Sequence, residues 1–453
     1  MRIIWVGCLI LFCTSIVFAQ GDDDPLNTQA LIKSHPIVWE QCRKVDVTKA
    51  LGLEDVVMGA LCNNPQTKIA WQTTLYQASL VGVSQSSYLP ALNATGSISK
   101  ITNSITQSGD QESVGLTLSY LLYDFGKRDA NYEASKYLLN AALYSENSTI
   151  QAVFLSSLQS YYTLFGAQAS LDASRKAERA ALESLNAAKE RYRIGVTTPA
   201  DTLQAQTAYS QAMLNRIRAE GSVRSVEGQM ASVLGLSPET RIILNAPLLQ
   251  PPSEEGERAI RTLMTEAQKN RPDLLAASAN IKASEATIKA AQADGMPSFS
   301  LTSNVGETNT VNNTNQRTSS IGLYVSIPLF TGYATKYKIQ AAQQQLKINE
   351  AQYDKLSSDA NLEVYQQYQS LISETQAVRT SFDLVRSAQA SYDLNFGRYK
   401  AGVGTILDLL NAQSSLASAQ QQNIQALYNW YISKATLAKA MGKLDFTAIK
   451  GQH

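Results

Sequence analysis

The chain has 453 residues, with 39 basic and 38 acidic side chains and a net charge of +1, so no global field points to nucleic acid. Its two histidines, His35 and His453, stand near opposite ends, and no nucleophile elbow, phosphate loop or metal-spaced cluster accompanies them. This pattern argues against an enzyme and implies no cofactor. After the first twenty residues there is no apolar run of the roughly eighteen residues that a transmembrane helix needs.

Residues 1–20, MRIIWVGCLILFCTSIVFAQ, combine basic Arg2, an apolar run and a small-residue site after Val17, Phe18 and Ala19. They read as a secretory signal peptide over 1–19, cleaved before Gln20. A lipoprotein signal is the rival, because Cys8 and Cys13 lie inside the run, but Phe12 occupies the position where a small residue is expected. Beyond the leader, Cys42 and Cys62 remain. An even pair in an exported chain favours a disulfide, which for a loop of about twenty residues contributes about 3 kcal/mol. Metal binding is the weaker alternative, with so few imidazoles available.

An N-terminal segment, 20–49, precedes the first of two copies of one large unit. Copy one is expected over 50–236 and copy two over 257–443, joined by the proline-rich linker 237–256 and followed by a tail, 444–453. Asn64-Pro65 answers Arg271-Pro272, Leu89-Pro90 answers Met296-Pro297, and Gly235 answers Gly442, all at one 207-residue offset. Each copy opens with a helical segment (50–88, 257–295) that must end at Pro90 or Pro297.

Two short extended segments come next in each copy: 92–105 with 113–123, then 299–311 with 318–330. Alternation places Leu116, Leu118, Tyr120 and Leu122 on one face of the first copy. It does the same for Ile321, Leu323, Val325, Ile327 and Leu329 in the second. Very long proline-free helices are then expected over 126–193 and 333–400, each spanning roughly 100 Å at 1.5 Å per residue. After a reversal, shorter helices return over 199–235 and 406–442.

The fold class implied is α+β, with a β-hairpin and very long helices in each repeat. Strands of this length suit a bilayer, and an exported chain without a transmembrane helix enters a membrane as a closed barrel. Four strands cannot close a barrel alone. Three protomers supply twelve strands, an even number in the known range, and the same number of helical columns. A soluble periplasmic structural coiled coil is the alternative reading.

The reversals read RYRIGVTTPADTLQAQ (191–206) and RYKAGVGTILDLLNAQ (398–413). Arg191 and Arg193 suit the negative end of a helix dipole, and Gly195 suits a left-handed position after the helix. Thr198, Pro199 and Asp201 then form a helix start, repeated by Thr405 and Asp408. The bland role of both aspartates is capping.

These units, the Asn64-Pro65 and Arg271-Pro272 pairs, and the junctions LLYDFG (121–126) and PLFTGY (328–333) resemble the TolC-type outer-membrane efflux and secretion proteins over nearly the whole chain. The resemblance implies a homotrimeric channel in the cell outer membrane, contacting its lipid and continued by a periplasmic helical tunnel. Its implied partners are a periplasmic adaptor (membrane fusion) protein and an inner-membrane transporter of the RND, ABC or MFS type. The implied cargo is small molecules or secreted proteins. It further implies that the reversals form the constricted periplasmic entrance. Asp408 would ring that entrance, with Tyr399 and Asp201 holding it shut. Gly195, Val196, Thr197, Gly402, Val403 and Gly404 would face the adaptor. Asn411 stands where the best-known member has a second acidic ring residue, while Gly404 and Leu427 stand where it has arginines, so ring charge is halved and the lock is differently built.

Overall fold

The computed structural model describes residues 24–32, 42, 45–101, 109–245, 260–309 and 315–444. The expected signal peptide, much of the N-terminal segment, most of the linker and nearly all of the tail lie outside the described residues.

In chain order the elements are α1 (Leu53–Asn63), α2 (Pro65–Ser86), β1 (Ala91–Ile101), β2 (Gly109–Tyr123), α3 (Lys127–Arg193) and α4 (Pro199–Val233). The second copy repeats them as α5 (Ile260–Asn270), α6 (Pro272–Ala293), β3 (Ser298–Asn309), β4 (Asn315–Ser326), α7 (Ala334–Lys400) and α8 (Ile406–Ala440). The long helices α3 and α7 have 67 residues each, and α4 and α8 have 35 each. No helix among the described residues is long and apolar enough to cross a membrane.

Two expectations need correction. The opening segment of each copy is not one helix but two, broken at Asn64 and at Arg271. A residue before proline is driven out of the helical region, and Asn64 is extended (φ −63°, ψ 130°). Proline then fits the first turn of the next helix, where its missing N–H costs nothing. Strand β4 also ends at Ser326, so Ile327 and Leu329 lie beyond it in the segment leading to α7.

Contacts group the chain into two compact units that cut across the sequence repeat, since each draws on both copies. One contains the four strands with α2's greater part, the start of α3, most of α6 and the start of α7. Its antiparallel sheet has the order β1-β2-β3-β4. On α6, Ala279, Ala283, Ala286, Ala290 and Ala293 are buried at alternating four- and three-residue spacing, a small-residue seam of the coiled-coil kind. At the strand-to-helix junctions, Phe125-Gly126 and Gly332-Tyr333 all take positive φ. Arg128 secures the first junction by donating to the carbonyls of Leu121 (2.6 Å) and Leu122 (3.1 Å). Asp294 receives Lys127 at 2.5 Å and Lys338 at 2.8 Å, and these bonds hold its carboxyl at about 2.

The other unit holds the largest core, in which Phe154, Tyr161, Tyr162, Tyr428, Trp430 and Tyr431 are buried together. Tyr162 and Tyr431 stack at 4.9 Å. Leu51 bridges Leu244 in parallel, and the Tyr161 hydroxyl donates to the Asn245 carbonyl at 2.9 Å. Cys42 and Cys62 form the expected disulfide, with Cα atoms 5.5 Å apart.

Candidate functional site

Two places carry the sequence-predicted functional residues: the sheet and the pair of helix reversals. In the sheet, residues directly opposite each other share a face. Leu116 pairs with Ala94 and Val305, Leu118 with Leu92 and Ser303, and Tyr120 with Leu301. Leu301 in turn pairs with Leu323, Ser303 with Ile321 and Phe299 with Val325. The expected apolar residues of β2 and β4 therefore lie on one continuous face. Val114, Leu92, Ile98, Leu301 and Val305, which were not expected there, complete it. Their strands alternate less cleanly because serine, glycine and threonine interrupt both faces.

Leu122 departs from this row. The register shifts between Leu121 and Tyr123, so pairing skips Leu122 and Tyr123 sits opposite Phe299. A bulge of this kind inverts the face of the residues after it. Tyr123 packs edge-on to Phe125 at 4.8 Å, and Phe330 meets Tyr333 at 5.6 Å. These exposed rings stand where strands pass into helices. The apolar face is itself exposed: Ile321 retains 75% of its surface and Leu323 62%.

At the reversals, α3 and α7 end in the same way. Gly195 (φ 77°) and Gly402 (φ 82°) adopt the left-handed conformation. Val196 N–H donates to Arg191 O and Val403 N–H to Arg398 O, both at 3.0 Å, which satisfies orphan carbonyls. Val196 and Val403 are exposed, whereas Thr197 is half-buried. Gly404 is held tightly: a Cβ there would lie 3.1 Å from Arg398 Cβ and from Tyr399 N. An arginine in its place would require the turn to shift.

The helix starts differ. Thr405 Oγ1 accepts from Asp408 N–H at 3.1 Å and donates to the Asp408 carboxylate at 2.8 Å. Thr198 makes no side-chain cap bond, contrary to the symmetric capping expected from sequence. Asp408 and Asn411 are both exposed and, three residues apart, share a helix face.

Tyr399 lies buried with Leu185, Ala188, Ala205, Ile406 and Leu409. Its hydroxyl has no hydrogen-bond partner among the described residues. Burial pushes the Tyr399 phenol up; Asp201 adds to this and Arg191 opposes it. The contact that joins the reversals is Arg191. Its Nη1 donates to the Tyr399 carbonyl at 2.7 Å, and its guanidinium lies 4.7 Å from the centre of the Tyr399 ring. Sequence reasoning gave Arg191 only a dipole role. Its repetition as Arg398 concealed that the arginine of the first copy reaches across to the tyrosine of the second. Leu427 packs at the edge of the aromatic core.

Comparison with known proteins agrees with this geometry. The family model "Outer membrane efflux protein" matches residues 56–236 and again 263–443. The chain is 28% identical to Protein CyaE of Bordetella pertussis over 422 residues, covering 92% of this chain and 89% of that protein. It is 26% identical to the probable efflux pump outer membrane protein TtgC of Pseudomonas putida, covering 86% and 82%. Among solved structures, the CmeC outer membrane channel of Campylobacter jejuni superposes with a TM-score of 0.78 at 20% identity, over 88% of each chain. With long paired helices, a four-stranded sheet and a duplicated family match, the chain belongs to the outer membrane efflux protein family, whose members are membrane channels and not enzymes.

Proposed function

We propose that three copies of this chain form one conduit, a twelve-stranded barrel in the outer membrane continued by a periplasmic tunnel of twelve helical columns. The observation that carries this reading is the two-faced open sheet. Among the described residues β1 and β4 have free edges, and one face carries an exposed apolar band that includes Leu92, Leu116, Val305, Ile321, Leu323 and Val325. An open edge is not tolerated in lipid and a bare apolar band is not tolerated in water, and closure into a barrel removes the edges while lipid covers the band. Leu116, Leu118, Tyr120, Ile321, Leu323 and Val325 would then meet lipid. The exposed rings Tyr123, Phe125, Phe330 and Tyr333 would form an interfacial girdle. A soluble coiled-coil protein would have no use for such a face.

In this reading the signal peptide delivers the chain to the periplasm, and the conduit serves a periplasmic adaptor and an inner-membrane transporter of the RND, ABC or MFS type. The named relative TtgC supports a place in an efflux pump. The reversals form the entrance, and Gly195–Thr197 with Gly402–Gly404 face the adaptor. Three Asp408 side chains ring the opening, while Asn411 adds no charge. Closure within each protomer is held by Arg191 on Tyr399, with Asp201 supplying a field and no bond. Membrane fractions analysed by unheated gel electrophoresis should show a trimer that heating dissociates, whereas a soluble monomer would defeat the conduit. In planar bilayers Asp408→Asn should weaken block by divalent cations, and Arg191→Ala should raise the conductance of the resting channel. Unchanged currents in both would remove the entrance from the reversals.

A further inference from the structure

The four strands contain five charged side chains: Lys100, Asp110, Glu112, Glu307 and Arg317. All five belong to the rows of the apolar face. Lys100 pairs with Asp110, Glu112 lies opposite Ile98, and Glu307 lies opposite Arg317, whose Nε it receives at 3.0 Å. They sit at the turn-ward end of that face, beyond Val114 and Val305. The other face carries hydroxyls, amides and glycines. Thr95, Gly115, Gly306 and Thr318 cross it in one row, and Ser97 shares a hydrogen bond with Ser113 at 2.8 Å. Leu121 and Tyr324 are its large side chains on the helix side of the Thr95 row, and Ile101, opposite Gly109, stands at its turn-ward end. The connecting segments 102–108 and 310–314 contain no charged residue either.

We infer that the barrel wall is a charge-free, hydroxyl-lined passage without ion selectivity, so that any discrimination by charge is made in the helical part. This inference rests on the conduit reading, which turns the polar face inward. Fixed wall charges concentrate counter-ions and exclude co-ions, and a wall with none does neither. Hydroxyls keep the wall wet, and the absence of an apolar patch denies a hold to apolar segments. Such a passage suits hydrophilic cargo of either net charge, including an extended polypeptide, because no segment finds a trap.

Single-channel recording of the full-length trimer tests both levels. The two cysteines beyond the leader are bonded to each other, so a membrane-impermeant charged methanethiosulfonate reagent has no native target there. The reagent should change the current of a Thr302→Cys variant and leave a Ser303→Cys variant unaffected. Reaction at both positions or at neither overturns the conduit reading, and the neutral wall falls with it. With the orientation established, reversal potentials across a potassium chloride gradient, recorded in an Asp408→Asn background that removes the charge at the entrance, decide the inference. Thr302→Asp and Thr302→Lys should shift the potential in opposite directions by equal amounts from that background channel. A large shift with one sign and almost none with the other would mean that the native wall already carries a field, and would overturn the inference.

Discussion

At residues 233 and 440, 207 positions apart, a backbone carbonyl near a helix end accepts a side-chain hydrogen bond. In the first copy the donor is Asn64 Nδ2, at 3.1 Å from Val233 O. In the second it is Arg271 Nη1, at 3.2 Å from Ala440 O. Asn64 makes a neutral link. Arg271 also binds Asp273 at 2.7 Å and Glu363 at 2.6 Å, and Lys439 reaches Glu363 at 3.2 Å. A complementary difference lies two residues upstream. Cys62 carries the disulfide to Cys42, while Lys269 stands at its counterpart. Duplication preserved the backbone requirement and left each copy to satisfy it with its own chemistry, covalent and neutral in one, ionic in the other.

The comparison breaks most sharply at Arg271. Arg271→Ala would leave the half-buried Asp273 carboxylate unpaired and Glu363 with Lys439 alone, and should destabilise the fold by about 3–5 kcal/mol, the cost of breaking a buried ion pair. Asn64→Ala should cost only about 1 kcal/mol. Thermal dissociation of the trimer on gels would rank the two variants, and equal losses would refute the distinction. Acid should separate the copies in the same direction. Burial raises the Asp273 and Glu363 carboxyls, but their bonds to Arg271 outweigh it and leave both below their ordinary values of 3.8 and 4.5. Their contribution is therefore complete above those values and is lost as pH falls through the lower folded ones. The neutral Asn64 link has no such dependence.

A smaller effect is expected from the covalent link. Cys42→Ser or Cys62→Ser should cost about 3 kcal/mol, read as a lower melting midpoint that reductant reproduces in the unmodified chain. The reversals supply the finest contrast. Thr405→Ala removes a cap that is made and should cost about 1 kcal/mol, whereas Thr198→Ala removes one that is not. Equal losses at the two threonines would restore the symmetry that the bonding pattern denies.

Much of this architecture was legible in particular residues. The prolines at 65, 90, 272 and 297, and Gly195 and Gly402, restrict or permit backbone angles locally, so their positions announce where helices end. The alternation in β2 and β4 was equally plain. The helix breaks at Asn64 and Arg271 were marked by proline as well, yet proline also fits the first turn of a helix, so the segments on its two sides read as one. Leu122 shows a different limit, because a bulge depends on how two strands meet and leaves no trace in the alternation of either one.

By itself the sequence determined the duplication, the order of helices and strands, the two reversals and the cysteine pairing, since each depends on backbone angles or spacing within a short stretch. Only the tertiary structure decided that Asp408 is capped and Asp201 is not, that Arg191 holds Tyr399, and that every strand charge falls on the apolar face. Those outcomes depend on which residues lie across a helix pair or a strand ladder, and positions separated by 207 residues acquire different neighbours even when their local sequences match.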